Sequence, residues 1–286
     1  MRRTLRAFGR HRLAIVAALI LLVATVATAL APVVAPHDPY DLAIGAGGEI
    51  AFAAPPSEAF LLGTDAIGRD VLSRLIYGGR VSLTIGFVAA LVAITVGSLL
   101  GLVAGWFGGW TDRVIARGAD TVATFPALFL ILTLSSFIAP SIVSVIAIIG
   151  FLSWMPAFRL MRAEVLKLRT TAFVEAAHAL GGRNVRIMLV HLLPNAFPPL
   201  VVQATLAVAD AILTESALSF LGLGIQPPLA SWGNMLADAR SITALRSQPW
   251  LWLPPGLAIF VTVLCINFLG DGLRAAVNPK AGRGAG

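Results

Sequence analysis

Apolar residues gather into six long runs along this 286-residue chain, near 13–34, 81–105, 122–138, 141–158, 196–220 and 251–270. A run of about 20 mainly apolar residues suffices for an α-helix to cross a bilayer, and a helix satisfies its backbone N–H and C=O groups internally, as lipid requires. The pattern predicts an all-α integral membrane protein with six transmembrane helices. The third and fourth runs fuse into one apolar stretch, 122 to 158, too long for a single crossing. Pro140, with serines nearby, predicts a tight turn that divides it.

Within the second run, Ala93, Gly97, Gly101 and Gly105 recur every four residues. On a helix they form one smooth stripe that lets a neighbouring backbone approach closely. Two ionisable residues lie in the fifth run, Asp210 and Glu215. Charges in a bilayer are costly and face protein or water. An offset of five residues turns the two about 140° apart on a helix, whereas Glu215 and Ser219, four apart, share a face. Glu215 then reads as an interhelical hydrogen-bond anchor, or both acids lie near an aqueous cavity. A proton relay would need a chain of such groups, and the other five runs supply none.

Composition sharpens the class. The chain is 58% hydrophobic and 12% charged, against about 25% charged for soluble domains. The net charge of +7 invites a nucleic-acid reading, but its distribution opposes one. All but five of the 21 basic residues fall in 1–12, 106–121, 159–195 and 271–286, the segments that share one side in a six-span chain. The exceptions are Arg69, Arg74, Arg80, Arg240 and Arg246. Basic residues accumulate on the cytoplasmic side, so both termini are expected inside and no nucleic-acid partner is expected. Arg69, Arg74 and Arg80 run against the trend, with Asp65 and Asp70 in the same loop to balance them. The first apolar run exceeds the 7–15 residues of a signal-peptide core and is expected to be retained.

Chemistry-bearing motifs are sparse. Cys265 is alone and inside a run, which excludes an intramolecular disulfide. His37, Asp38 and Asp41 in "HDPYD" read as turn residues before metal ligands. "GTDAIGRD" at 63–70 imitates a phosphate loop, but Arg69 and Asp70 stand where Lys and Ser or Thr are required. There is no HExxH and no GxSxG. No catalytic or metal site is expected, so any energy for transport comes from elsewhere.

The polar stretch between the fourth and fifth runs carries the most information. Met161 to Leu180 reads as a helix closed by Gly181-Gly182, because glycine accepts the left-handed conformation. Asn184 reads as the cap of a second short helix ended by Pro194, with Asn195 capping the next span. Ala176, Ala177 and Ala179 make the end of the first helix thin, and Arg183 and Arg186 flank the turn. A plain amphipathic connector would look similar.

Glu175, Ala176, Ala177, Gly181, Leu193 and Pro194 also resemble the EAA signature of ABC-importer permeases. His191 departs from it, standing where the general signature prefers isoleucine. "HLLPN" there resembles the dipeptide, oligopeptide and nickel branch, as do 62–83, 215–236 and 267–280 its C-type permease subunits. The resemblance implies a type I ABC-importer permease architecture. It implies a tail, first helix and outer loop over 1–80, a five-helix core over 81–275 with the coupling loop at 159–195, and a tail over 276–286. It implies docking of Glu175, Ala176, Ala177, Gly181, Gly182, Arg183, Arg186 and Pro194 on a separate ATPase subunit. The remaining implied partners are a second homologous permease, a second ATPase and an extracytoplasmic substrate-binding protein facing 35–80 and 221–250. ATP and Mg²⁺ would bind those ATPases, leaving this chain without a cofactor. Pro227, Pro228 and Trp232 are expected to shape a short re-entrant or docking element. A self-sufficient secondary transporter or channel would need an ion-coupling site and broken-helix repeats that this sequence lacks; a membrane scaffold or sensor component is the other alternative.

Overall fold

The computed structural model describes residues 11–45 and 48–277; the basic residues Arg2, Arg3, Arg6, Arg10, Lys280 and Arg283 of the expected tails lie outside them. Nine helices of eight or more residues carry the described fold: α1 Arg12–Ala29, α2 Val71–Phe107, α3 Gly109–Ala123, α4 Ala127–Phe137, α5 Ile142–Leu152, α6 Met155–Leu168, α7 Ala172–Ala179, α8 Leu193–Leu221 and α9 Pro249–Val277. Four are long and apolar enough to cross a bilayer: α1, α2, α8 with the residues leading into it, and α9. Two bent pairs, α3 with α4 at 83° and α5 with α6 at 41°, bring the number to six when each counts as one crossing.

The spans depart from the apolar runs in two places. α2 starts at Val71, ten residues before its apolar run, because the Asp70 side chain accepts the Ser73 N–H and caps the helix in a polar stretch. The third run is not one helix from 122. It breaks at Thr124–Pro126, since a residue preceding proline is pushed out of the helical region. The turn expected at Pro140 is present, and Ser141 and Ser144 form a reciprocal cap that starts α5. α4 and α5, of 11 residues each, are only about 16 Å long.

α2 is the axis of the bundle and packs against α1, α5, α6 and α8. The small stripe explains the closest of these contacts. A Cβ on Gly97 would sit 2.4 Å from the Trp154 carbonyl oxygen, and one on Gly101 2.6 Å from that of Phe158. A Cβ on Gly105 would sit 2.9 Å from the Val165 side chain, and Ala93 is buried in line with them. α6 therefore lies in a trough on α2 that only small residues leave open. The bidentate Arg162–Asp112 pair, 2.6 Å between Nη2 and Oδ2, ties α6 to the first turn of α3.

At the other end of α2 the loop 35–70 is stapled by charge. Asp65 pairs with Arg69 at 2.8 Å and with Arg74 at 3.2 Å, all three nearly buried. Two of the three arginines that ran against the charge trend are thus neutralised locally. Asp65 also accepts the backbone N–H groups of Ile67 and Arg69. Its carboxylate fills the nest that a phosphate would need, so "GTDAIGRD" closes on itself. In "HDPYD", Asp38 accepts the Tyr40 N–H in a turn, while His37 lies 3.6 Å from Asp70.

Burial pushes the carboxyl of half-buried Asp238 up from its ordinary 3.8, and Asp65 adds repulsion that Arg74 and Arg69 partly offset. Below pH 3.8 this carboxyl is neutral in both folded and unfolded chains and costs nothing. As pH rises from there through the higher folded value, the unfolded chain ionises first and stability falls. Asp238→Asn is accordingly expected to raise the melting temperature at pH 7 and leave it unchanged at acid pH, as thermal unfolding in detergent would show.

Candidate functional site

The stretch 169–195 is a folded knob. The expected single helix from Met161 to Leu180 is interrupted at Arg169–Thr171, where Thr171 is extended (φ −89°, ψ 147°), and resumes as α7. α7 ends as expected at Gly181, whose φ is +78°. The Gly182 N–H reaches the Ala177 carbonyl at 3.0 Å and the Gly181 N–H that of His178 at 2.9 Å. This pair of bonds is the Schellman closure of a helix, and a left-handed residue is its requirement.

Beyond the turn the structure corrects the reading. Arg183, not Asn184, is the capping residue, and the next helix does not stop at Pro194. Residues Asn184–Arg186 continue through a π-helical segment, Ile187–Leu192, straight into α8. Pro194 thus lies inside a continuous helical run just after the π turn, and Pro198 and Pro199 follow within α8. Asn195 lies inside the helix and donates to the His191 carbonyl at 2.6 Å rather than capping a span.

Val174, Ile187, Met188 and Leu192 are buried against Leu102, Met161, Val165 and Leu200, which roots the knob on α2, α6 and α8. His178 stacks on Trp106 at the end of α2, ring centroids 5.4 Å apart and nearly parallel. Arg169 donates to the Gly105 carbonyl at 3.2 Å. The exposed side is a concavity of about 800 Å³ lined by Ala176, Ala177, Gly181, Gly182, Arg183 and Arg186, among others. Six of the eight expected coupling residues converge there. Glu175 and Pro194 are exposed but outside that lining, and among the described residues the Glu175 carboxylate accepts no hydrogen bond from its own loop. The sequence reading missed Phe173, 43% exposed, and Leu180, 89% exposed, which add apolar contact area beside the arginines. Their signal was present, as large apolar side chains on an otherwise small and polar loop.

Asp210 and Glu215 are kept apart. Glu215 is fully buried; Asp210 is exposed on the isolated chain. Glu215 accepts hydrogen bonds from Ser82 of α2 at 3.0 Å and from Ser219 at 2.8 Å. Each serine oxygen in turn accepts a backbone N–H of the segment after α8: Ser82 that of Trp232 at 3.1 Å, Ser219 that of Ile225 at 2.9 Å. Glu215 is therefore the anchor that the four-residue offset to Ser219 suggested, and it joins α2, α8 and residues 222–235. Trp232 starts a short helix, Trp232–Met235, and is buried with its Nε1 on the Leu75 carbonyl at 3.0 Å. Pro227 and Pro228 are exposed, so the segment is a packed plug with a solvent-facing tip, and Trp232 belongs to the plug.

The geometry is that of a multi-pass membrane subunit in which a rooted knob and a packed plug occupy opposite ends of one helical bundle. The chain belongs to the family of binding-protein-dependent transport system inner membrane components, whose model matches residues 97–283; residues 1–56 match the N-terminal TM domain of oligopeptide transport permease C. It is 43% identical over 226 residues to the dipeptide transport system permease protein DppC of Alkalihalophilus pseudofirmus, covering 79% of this chain and 73% of that one. It is 37% identical over 279 residues to DppC of Haemophilus influenzae, covering 96% and 92%. In fold it resembles a chain of the MetNI methionine ABC transporter in an inward facing conformation, with a TM-score of 0.58 and 19% identity over 71% of this chain and 96% of that chain. The expected type I ABC-importer permease architecture is thus the observed one.

Proposed function

We propose that this chain forms half of the membrane pathway of an ATP-driven importer of short peptides or related small solutes, seated in the inner membrane of a prokaryote with both termini cytoplasmic. A second homologous permease supplies the other half. Two ABC ATPase subunits carry the ATP and Mg²⁺, and an extracytoplasmic binding protein delivers the solute to the face formed by 35–80 and 221–250. Residues 81–275 act as the core permease domain.

The observation that carries this reading is the rooted knob. Closure of two ATPases can move a bundle only through an element that does not yield, and α7 with the π segment is packed onto three spans. The Glu175 carboxylate and the Arg183 and Arg186 guanidinium groups are exposed for an ATPase groove. Any coupling requires that this contact differ between the two states of the complex. Relatives named as dipeptide permeases favour a peptide-like solute.

Gly181→Pro is expected to uncouple the complex, because proline fixes φ near −65° where the turn needs +78°. Glu175→Lys is expected to do so by reversing charge at the contact. In vesicles containing the full complex, both variants should hydrolyse ATP yet lose at least about tenfold in uptake, a barrier change of about 1.4 kcal/mol. Normal uptake by both would remove the knob from the coupling path.

A further inference from the structure

The chain presents two kinds of exposed helix surface. The exposed face of α1 is aliphatic: Leu13, Val16, Leu19, Leu22 and Val23. That is a surface for lipid. On α8 the corresponding face carries Gln203, Ala207, Asp210, Thr214 and Ala217, at the spacing of one helical stripe and all partly or fully exposed, with Leu206 and Leu213 along one edge. Asp210 stands 17 residues from Leu193 and 11 from Leu221, about 25 Å and 16 Å along the axis, and so lies deep in the span. Among the described residues its carboxylate has no ion pair within 4.0 Å and no hydrogen bond; Thr214 bonds the Asp210 carbonyl instead. The opposite face of α8, with Val208, Ile212, Glu215 and Ser219, is buried against the bundle. A carboxylate at this depth is not left facing lipid; it meets protein or water, and a polar stripe of small side chains favours water.

We propose that the Gln203–Asp210–Thr214 face lines the aqueous path through the assembled complex, and that the Asp210 carboxylate is a transient site for ammonium groups of the passing solute. This rests on the transport reading above and adds the chemistry of the path. The stripe carries one charge, and it is negative. Ala207, three residues before Asp210, leaves room beside the carboxylate. Gln203 and Thr214, about one to two turns away, offer neutral polar contacts. A free amino terminus is the group that such a lining would favour.

The test uses single thiols, Gln203→Cys and Thr214→Cys, in a Cys265→Ala background within the full complex in vesicles. The probes are methanethiosulfonates carrying either a trimethylammonium or a sulfonate group. Both thiols should be labelled. Relative to its rate with a free thiol, the cationic probe should react about tenfold faster at Thr214→Cys, with one negative charge ~6 Å away in water acting on probes of opposite sign, and about fourfold faster at Gln203→Cys, ~10 Å away. Asp210→Asn should bring that ratio near one. Thiols closed to both probes would place the face against protein or lipid and overturn the proposal, as would a ratio that ignores Asp210→Asn. Labelling needs no solute movement. A wild-type complex without ATP-dependent uptake would therefore count against the transport reading and leave the labelling to decide this one.

Discussion

Gly97→Leu is expected to lose about 3 kcal/mol or more of stability, at or above the upper end of small-to-large core substitutions. Even the first added carbon would meet the Trp154 carbonyl oxygen at 2.4 Å, the Ala157 Cβ at 2.7 Å and the Phe158 N at 2.8 Å. Two of these are backbone atoms, so no rotamer change relieves the clash; α2 and α6 must separate. That movement opens the cluster of Leu102, Met161 and Val165 on which the knob is rooted, so coupling should fail together with stability. Gly118→Ala is the control. Nothing lies within 4 Å of a Cβ there, and a glycine inside a helix costs about 0.5–1 kcal/mol relative to alanine. Thermal unfolding in detergent should move the two variants in opposite directions. A Gly97→Leu protein melting with the wild type would show that α6 does not sit in the glycine trough.

Loss of the Glu215 side chain should be nearly as damaging. Glu215→Ala removes the acceptor shared by Ser82 and Ser219 and leaves both hydroxyls buried. A hydrogen bond contributes about 1 kcal/mol and a buried hydroxyl left without its acceptor costs roughly 1–3 kcal/mol, so a loss of about 3 kcal/mol is expected for the two serines together. The damage should be local first. Ser82 and Ser219 also hold the Trp232 and Ile225 N–H groups, so residues 222–235 should loosen and become sensitive to protease before the bundle melts. Glu215→Gln keeps an acceptor in the same place and should retain much of the protection. Unchanged cleavage and melting in Glu215→Ala would mean that the plug is seated by Trp232 and Met235 packing alone.

Much of this was legible in the chain, for reasons that can be named. A helix in lipid must be long and apolar, so four of the six runs appeared as helices long enough to cross, while the third and fourth runs fall in bent pairs. A four-residue repeat of small residues reads as a packing stripe, and a Cβ on Gly97, Gly101 or Gly105 would press on α6, with Ala93 buried in line. Gly181 was expected to close α7 because only a left-handed residue does so cheaply, and its φ is +78°. What failed was punctuation. Pro194 was read as a stop because an interior proline disfavours an α-helix, yet the helix runs on from the π segment Ile187–Leu192 through Pro194, Pro198 and Pro199. Pro126, which breaks the third run, passed unnoticed inside apolar sequence.

By itself, then, the order of residues determined that this is a helical membrane protein, which stretches are apolar enough to cross, where the thin turn falls and which family signature it carries. Those properties are local: they follow from hydropathy, from spacing along one helix and from the conformations single residues accept. Only the tertiary structure decided what each polar group faces. Ser82 and Glu215, 133 positions apart, become partners because α2 and α8 pack side by side. Asp210, five residues from Glu215, stays open because the helix turns it away from that contact. Burial and pairing depend on neighbours remote in the chain, and no pattern along one helix contains them.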